Sequence, residues 1–255
     1  MRLLQHIKST LFIFGTSFLA GPNFVYSALI DALYWFLTFL IATTAKNFLT
    51  SEVYKLQPAV PNPALLVNDT AAAVTISTIR WYFIDSALII LSAFLLQIIT
   101  YSACKGLIWL ILLDKKPTKE YFIGFLKLNL FWWLLWLTPL LAILLGLKAS
   151  FFAPVAVIAF IIYLHLTSIL HIAFTEKQNI KKALTKTFVL GIGKAHHFAL
   201  PYTLGIAFYL VLSQVFRLLP QDQKSMLAAG IMFLIFYLTW FRGFILKMSK
   251  TIGET

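Results

Sequence analysis

Long apolar stretches recur along the chain, broken by short polar gaps. Six of them, at 23–48, 82–104, 130–147, 152–175, 197–216 and 225–246, reach the roughly 20 residues that an α-helix needs to cross a bilayer. Lys148, Ala149 and Pro154 mark a tight hairpin between the third and fourth, and 218–223 gives a second short turn. Ahead of the first span, Arg2 and Lys8 precede the apolar stretch 11–20, which Gly21 and Pro22 end. This segment predicts an interfacial helix over 1–20; a cleavable leader is the alternative, disfavoured by the longer apolar run that follows at once. The predicted fold is all-α: a polytopic six-transmembrane-helix bundle with basic amphipathic interfacial helices, forming a single integral membrane domain over 1–255.

Composition changes the picture little. The chain is 60% hydrophobic and only 12% charged, about half the charge of a soluble domain, so it has no material for a soluble surface. Charge adds more. A net charge of +12 on a soluble protein suggests nucleic acid, but these lysines flank apolar runs, which points to lipid head groups and topology and away from nucleic acid. Counted over alternate gaps, fifteen Lys and Arg fall on one side and six on the other. The richer side is the cytoplasmic one, which places both termini inside a plasma or inner membrane. The segment 50–78, with Pro58, Pro61 and Pro63, is then an external loop. Asn68-Asp69-Thr70 within it matches a glycosylation sequon, a pattern that also arises by chance. Cys104 is the only cysteine, which excludes intrachain disulfides and thiolate metal clusters.

Residues 180–194 read as an amphipathic helix, with Ile180, Ala183, Leu184 and Phe188 opposite Lys181, Lys182 and Lys186. A shorter one covers 119–127, starting at Lys119 and turning Tyr121, Phe122 and Phe125 to one face. Such helices beside a span lie in the interface and attract anionic lipid, at about 1 kcal/mol per exposed lysine. Lys119, Lys181, Lys182 and Lys186 are therefore candidate head-group contacts; the alternative is that they only set topology. A shift of 62 residues aligns Tyr101 with Tyr163, Lys119 with Lys181 and Pro139 with Pro201, as a repeated unit of basic helix and hairpin would; shared membrane constraints produce the same pattern.

The stretch Phe18-Leu19-Ala20-Gly21-Pro22-Asn23-Phe24, the following Ala28-Leu29-Ile30-Asp31, and the basic helix Lys181-Lys182-Ala183-Leu184-Thr185-Lys186-Thr187-Phe188 carry a resemblance. They are similar to elements of uncharacterised prokaryotic six-helix membrane proteins related in style to the membrane domain attached to some glycerophosphodiester phosphodiesterases. The resemblance implies a compact helical bundle and supplies no catalytic residue.

Within the spans, Asp31 stands out. It shares a helical face with Asn23, Ser27, Tyr34 and Thr38, and an ionised carboxylate there costs roughly 2.5–3.5 kcal/mol on the insertion scale. It must face the bundle or a wet cavity, as a functional group or as a structural hydrogen bond. Gln97, on the second span, is the expected partner; Asp85 lies at that span's outer end, where solvation accounts for it. His165 and His171 belong to the fourth span, and His196 and His197 begin the fifth. Six residues apart, His165 and His171 are about 240° apart around a helix and share no face, so no metal site is expected. Trp132, Trp133 and Trp136 read as an interface belt. Pro139 and Pro201 lie in or near spans, as static kinks or hinges.

No zinc-protease, serine-hydrolase or phosphate-loop motif occurs, and no cofactor is implied. Three functions stay open: a non-enzymatic lipid-contacting module or subunit of a membrane assembly, with membrane lipids and a membrane-protein partner; a small transporter or channel whose polar path passes Asp31, Gln97 and His165; and an inner-leaflet lipid-modifying enzyme using Asp31 with His171 or His197.

Overall fold

The computed structural model describes residues 2–18, 21–56, 69–146, 149–217 and 223–254. Every described element is helical: α1 (Arg2–Thr16), α2 (Pro22–Leu56), α3 (Asp69–Leu112), α4 (Lys119–Gly146), α5 (Ala149–Lys177), α6 (Ile180–Phe188), a π-helical turn (Val189–Gly193), α7 (Ala195–Arg217) and α8 (Gln223–Glu254). Six of these helices are long and apolar enough to cross a membrane: Pro22–Lys55, Ile76–Leu112, Lys119–Ala142, Phe151–Lys177, Ala195–Gln214 and Ala229–Gly253. The chain is an all-α, polytopic, integral membrane protein.

The helix ends follow local chemistry. Pro22 opens α2, where its fixed φ suits the first turn and its missing N–H is no loss. Thr118 Oγ1 accepts from the Tyr121 backbone N–H at 3.2 Å, and Asn179 Oδ1 accepts from Lys182 N–H at 3.0 Å, so both caps satisfy an orphan donor. At the end of α3, Asp114 takes a left-handed φ of 53°. Lys115 N–H then reaches back to Leu110 O at 2.8 Å and Asp114 N–H to Ile111 O at 3.2 Å, a closing pair of bonds that usually relies on glycine or asparagine.

The chain divides into two compact units. The larger comprises residues 1–32 and 102–255. Its first core joins Trp109 and Leu110 of α3, Tyr121, Phe125, Leu128 and Trp132 of α4, Leu166, Leu170 and Phe174 of α5, Ala183 of α6 and Leu246 of α8. Its second core joins Ile169, Leu190, Phe198, Trp240, Phe244 and Met248. The aromatic face of α1 packs onto α8: the Phe14 and Trp240 rings meet edge to face at 5.5 Å, Phe18 stacks on Trp240 at 4.9 Å, and Trp240 Nε1 donates to Ser17 Oγ at 2.8 Å. The smaller unit, residues 33–101, is a hairpin of α2 and α3, with a largely apolar cleft of about 440 Å³ between Leu40, Thr44 and Phe48 on one side and Leu88, Ser92 and Leu96 on the other.

Three expectations need correction. Residues 119–127 are not a separate interfacial helix; they are the first turns of α4. The buried residues Tyr121, Phe125, Leu128 and Trp132 step by four, three and four, so one helical stripe runs through both segments without interruption. The basic helix expected over 180–194 ends at Phe188 and passes into the π-turn. The connection expected over 50–78 is shorter, because α2 continues to Leu56 and α3 begins at Asp69; once past Pro63, the alanine-rich 71–73 favours helix. Asn68, the glycosylation candidate, lies outside the described residues, as do residues 218–222 of the turn expected over 218–223, whose last residue opens α8.

A candidate functional site around Asp31

Asp31 is 1% exposed and lies on α2 in the larger unit. One face of α8 presents Thr239 and Arg242 to it, three residues apart, and α3 presents Lys105. Lys105 Nζ donates to Oδ1 at 2.5 Å. Arg242 grips both oxygens, Nη1 to Oδ2 at 2.6 Å and Nη2 to Oδ1 at 3.4 Å, and Thr239 Oγ1 donates to Oδ2 at 3.1 Å. A carboxylate has about four lone-pair positions, and four donors fill them. The group therefore ties three helices together and has no acceptor position left for a substrate proton or a metal. The two cations that share it are partly reachable, with side chains 13% and 15% exposed.

Gln97 is not the partner of this carboxylate. Its Nε2 donates to Tyr34 OH and Thr38 Oγ1, both at 3.0 Å, inside the smaller unit. Lys105 and Arg242 take its place; by hydropathy alone both count among the fifteen basic residues in the gaps between spans. In fact Lys105 is followed by the apolar 106–113, and Arg242 by Gly243, Phe244, Ile245 and Leu246, so each sits inside an apolar run. That continuation is the sequence signal that identifies them.

A second polar group is buried between α3, α4 and α5. Asn129 Nδ2 donates to Ser102 Oγ at 3.0 Å, and Asn129 Oδ1 lies 2.8 Å from His171 Nε2. One turn on, Thr175 Oγ1 donates to the His171 carbonyl at 2.8 Å and meets Tyr121 OH at 2.9 Å; the phenol also reaches Gly106 O at 3.2 Å. Asn129 was not foreseen, although an amide at the eleventh position of an apolar helix is a signal of the same kind as Asp31. His165 turns elsewhere, as its spacing from His171 requires. Its Nδ1 is 2.8 Å from Tyr202 OH and its Nε2 3.0 Å from Gly191 O, so it clasps α5 to α7 and to the π-turn. His197 sits beside His196, with ring centroids 4.1 Å apart. Among the described residues, no group of three or more His, Cys, Asp and Glu is placed to hold a metal ion.

The tryptophan belt also needs correction. Trp132 is buried, and its Nε1 donates to Thr167 Oγ1 at 2.8 Å; the α4 stripe draws it inward, and of the three only Trp133 is exposed. On the basic face, Lys119, Lys181 and Lys182 are exposed. Lys186 is held by Glu176 at 2.6 Å, a partly exposed pair worth about 0–1 kcal/mol. Lys115, on the turn after α3, donates to the last carbonyls of α5, Thr175 and Glu176, at 2.8 and 2.7 Å. No protein-family model, curated protein or solved structure matches the chain.

Proposed function

We infer that the chain is a non-enzymatic, lipid-contacting module of a membrane assembly, with both termini and the basic face of α6 in the cytoplasm. The observation that carries this reading is the closed state of Asp31. A transport path or an acid–base centre needs the carboxylate to accept something from outside, and four internal donors occupy it. None of three clefts on the described surface, lined respectively by Leu40 to Leu96 of the smaller unit, by Trp133 to Tyr163 of α4 and α5, and by Ser17 to Trp240 of α1, α2, α7 and α8, includes Asp31, His165, His171 or His197. Against this closed interior stand the exposed lysines of α4 and α6, which suit an anionic head-group layer. The resemblance to phosphodiesterase membrane domains points the same way.

The test is reconstitution of the full chain in liposomes with and without anionic lipid. The module reading expects no proton or cation flux above empty liposomes, and an enrichment of anionic lipid around the protein that falls when Lys119, Lys181 and Lys182 are all changed to Gln. A flux through the unmodified chain, lost in an Asp31→Asn variant that melts as a folded protein, would instead establish the transporter reading.

A further inference from the structure

A cleft of about 180 Å³ lies between α4 and α5 in the larger unit. From α4 it is lined by Trp133, Trp136 and Pro139, and from α5 by Ala156, Ala159 and Tyr163. The two alanines lack the bulk to fill the space beside the rings, and the indole of Trp136 meets the phenol of Tyr163 edge to face at 5.4 Å. At the rim, Leu140 and Phe160 are 50% and 58% exposed. Both helices are spans, and Trp136 lies about 26 Å from the start of α4 at Lys119 and about 15 Å from its end at Gly146. The cleft therefore opens to hydrocarbon, away from either head-group layer.

One polar atom in these walls is left over. Trp136 Nε1 is buried and has no hydrogen-bond partner among the described residues, whereas the buried indoles of Trp132 and Trp240 donate to Thr167 Oγ1 and Ser17 Oγ. A buried donor without an acceptor is costly, and at this depth no water repairs it. The Tyr163 ring beside it offers only a weak N–H···π contact. An indole N–H donates and cannot accept, so its missing partner is an acceptor. Size narrows the choice: an apolar cavity of about 150 Å³ holds benzene, so this cleft takes a single six-membered ring with small substituents. Phospholipid ester carbonyls stay at the head-group boundary, and the fused rings of a sterol exceed the space. We propose that the cleft binds the ring of a membrane quinone, which is flat and apolar, is dissolved in the hydrocarbon layer by its tail, and carries carbonyl acceptors. A turn of the Trp136 indole uncovers its N–H to one quinone carbonyl, the ring lies beside Trp133 and Tyr163, and the tail leaves past Leu140 and Phe160. The assignment is of binding alone. It goes beyond the module reading, which rests on Asp31 and the surface lysines.

The full chain, purified in a maltoside detergent, is titrated with a benzoquinone bearing a decyl tail and, separately, with decylbenzene, which has the ring and the tail but no carbonyl. Bound equivalents are read by native mass spectrometry and by equilibrium dialysis. Trp136→Phe keeps an aromatic ring and removes the donor; Ala159→Leu fills the cleft. The expected result is saturable binding of one equivalent of the quinone, with affinity at least tenfold weaker in each variant and unchanged in Lys181→Gln/Lys182→Gln. Decylbenzene should bind at least tenfold more weakly than the quinone and respond to Ala159→Leu but not to Trp136→Phe. Absence of saturable quinone binding to the unmodified chain overturns the proposal, and so does equal quinone affinity in a folded Trp136→Phe variant. Decylbenzene bound as tightly as the quinone would mark the cleft as an apolar slot and overturn it as well. The first and third results need only the unmodified chain, so they decide the matter even where a variant fails to fold.

Discussion

Asn129 Oδ1 lies 2.8 Å from His171 Nε2, and the opposite end of the same amide determines which ring nitrogen carries hydrogen. Because Asn129 Nδ2 donates to Ser102 Oγ, its oxygen faces the ring as an acceptor, and His171 must donate through Nε2. This contact joins α4 to α5 in a region where residues 171–175 of α5 are all buried. Asn129→Leu strands a buried ring donor, at a cost of about 1–3 kcal/mol. The double variant Asn129→Leu/His171→Leu removes both partners and should cost clearly less than the sum of the two single changes. Thermal unfolding in detergent of the four proteins gives the coupling directly, and strict additivity would show that the bond contributes nothing.

The carboxylate of Asp31 should be the residue whose loss destabilises the fold most sharply. Asp31→Asn leaves Lys105 and Arg242 facing each other with no counter-charge, which costs about 3–5 kcal/mol for a buried pair broken on one side. Lys105→Met in the same chain removes the mutual repulsion and leaves one uncompensated cation, so it should restore part of the loss. Tryptophan-monitored melting checks this. A single variant within about 1 kcal/mol of the parent would mean that the cluster is solvated like a surface pair.

The spans were legible because hydropathy is a local property, and Asp31 was legible because a carboxylate inside an apolar run is conspicuous. Its partners were not, since the contacts join residues 74 and 211 positions apart and no local pattern encodes that pairing. Lys105 and Arg242 were lost for a more specific reason. A basic residue near the end of an apolar window reads as a boundary charge, and the apolar residues beyond it are then counted as flank. Trp132 failed differently: tryptophan near a span end suggests an interface, but helical periodicity with Tyr121, Phe125 and Leu128 places it inside. The two histidines of α5 succeeded because the angle between them follows from spacing alone.

Two glycines separate packing from backbone effects. A Cβ on Gly205 would run into the Phe241 ring, and the Gly205 carbonyl also accepts from Tyr237 OH at 3.0 Å, so α7 and α8 meet there with no slack. Gly205→Ala should cost about 1–3 kcal/mol, the range for an overpacked contact. Gly193, at the end of the π-turn, has open space at the same point and no left-handed φ. Gly193→Ala should be neutral or stabilising by about 0.4–1 kcal/mol, through the unfolded chain. Parallel melting curves of the two variants test both statements, and a larger loss at 193 than at 205 would contradict the packing account.

The orientation can be tested with the chain's own composition. Cys104 is buried and is the only thiol, so Cys104→Ala gives a background in which each introduced cysteine reports alone. Lys181 lies on the exposed face of α6, and Ser51 is exposed near the far end of α2. Between Pro22 and Ser51 the helix runs about 44 Å, at 1.5 Å per residue, longer than the roughly 30 Å hydrocarbon core, so Ser51 should emerge on the side opposite the amino terminus. Lysine and arginine are in excess on the side of α6 even when Lys105 and Arg242 are set aside as buried partners of Asp31, so the positive-inside argument does not depend on them. In intact cells, a membrane-impermeant maleimide should label Ser51→Cys and leave Lys181→Cys unmodified. In inside-out vesicles the pattern should reverse. Labelling of both positions from one side would mean that α3, α4 and α5 do not all cross the bilayer, and the opposite sidedness would place the basic helix outside and remove the cytoplasmic head-group layer from its reach.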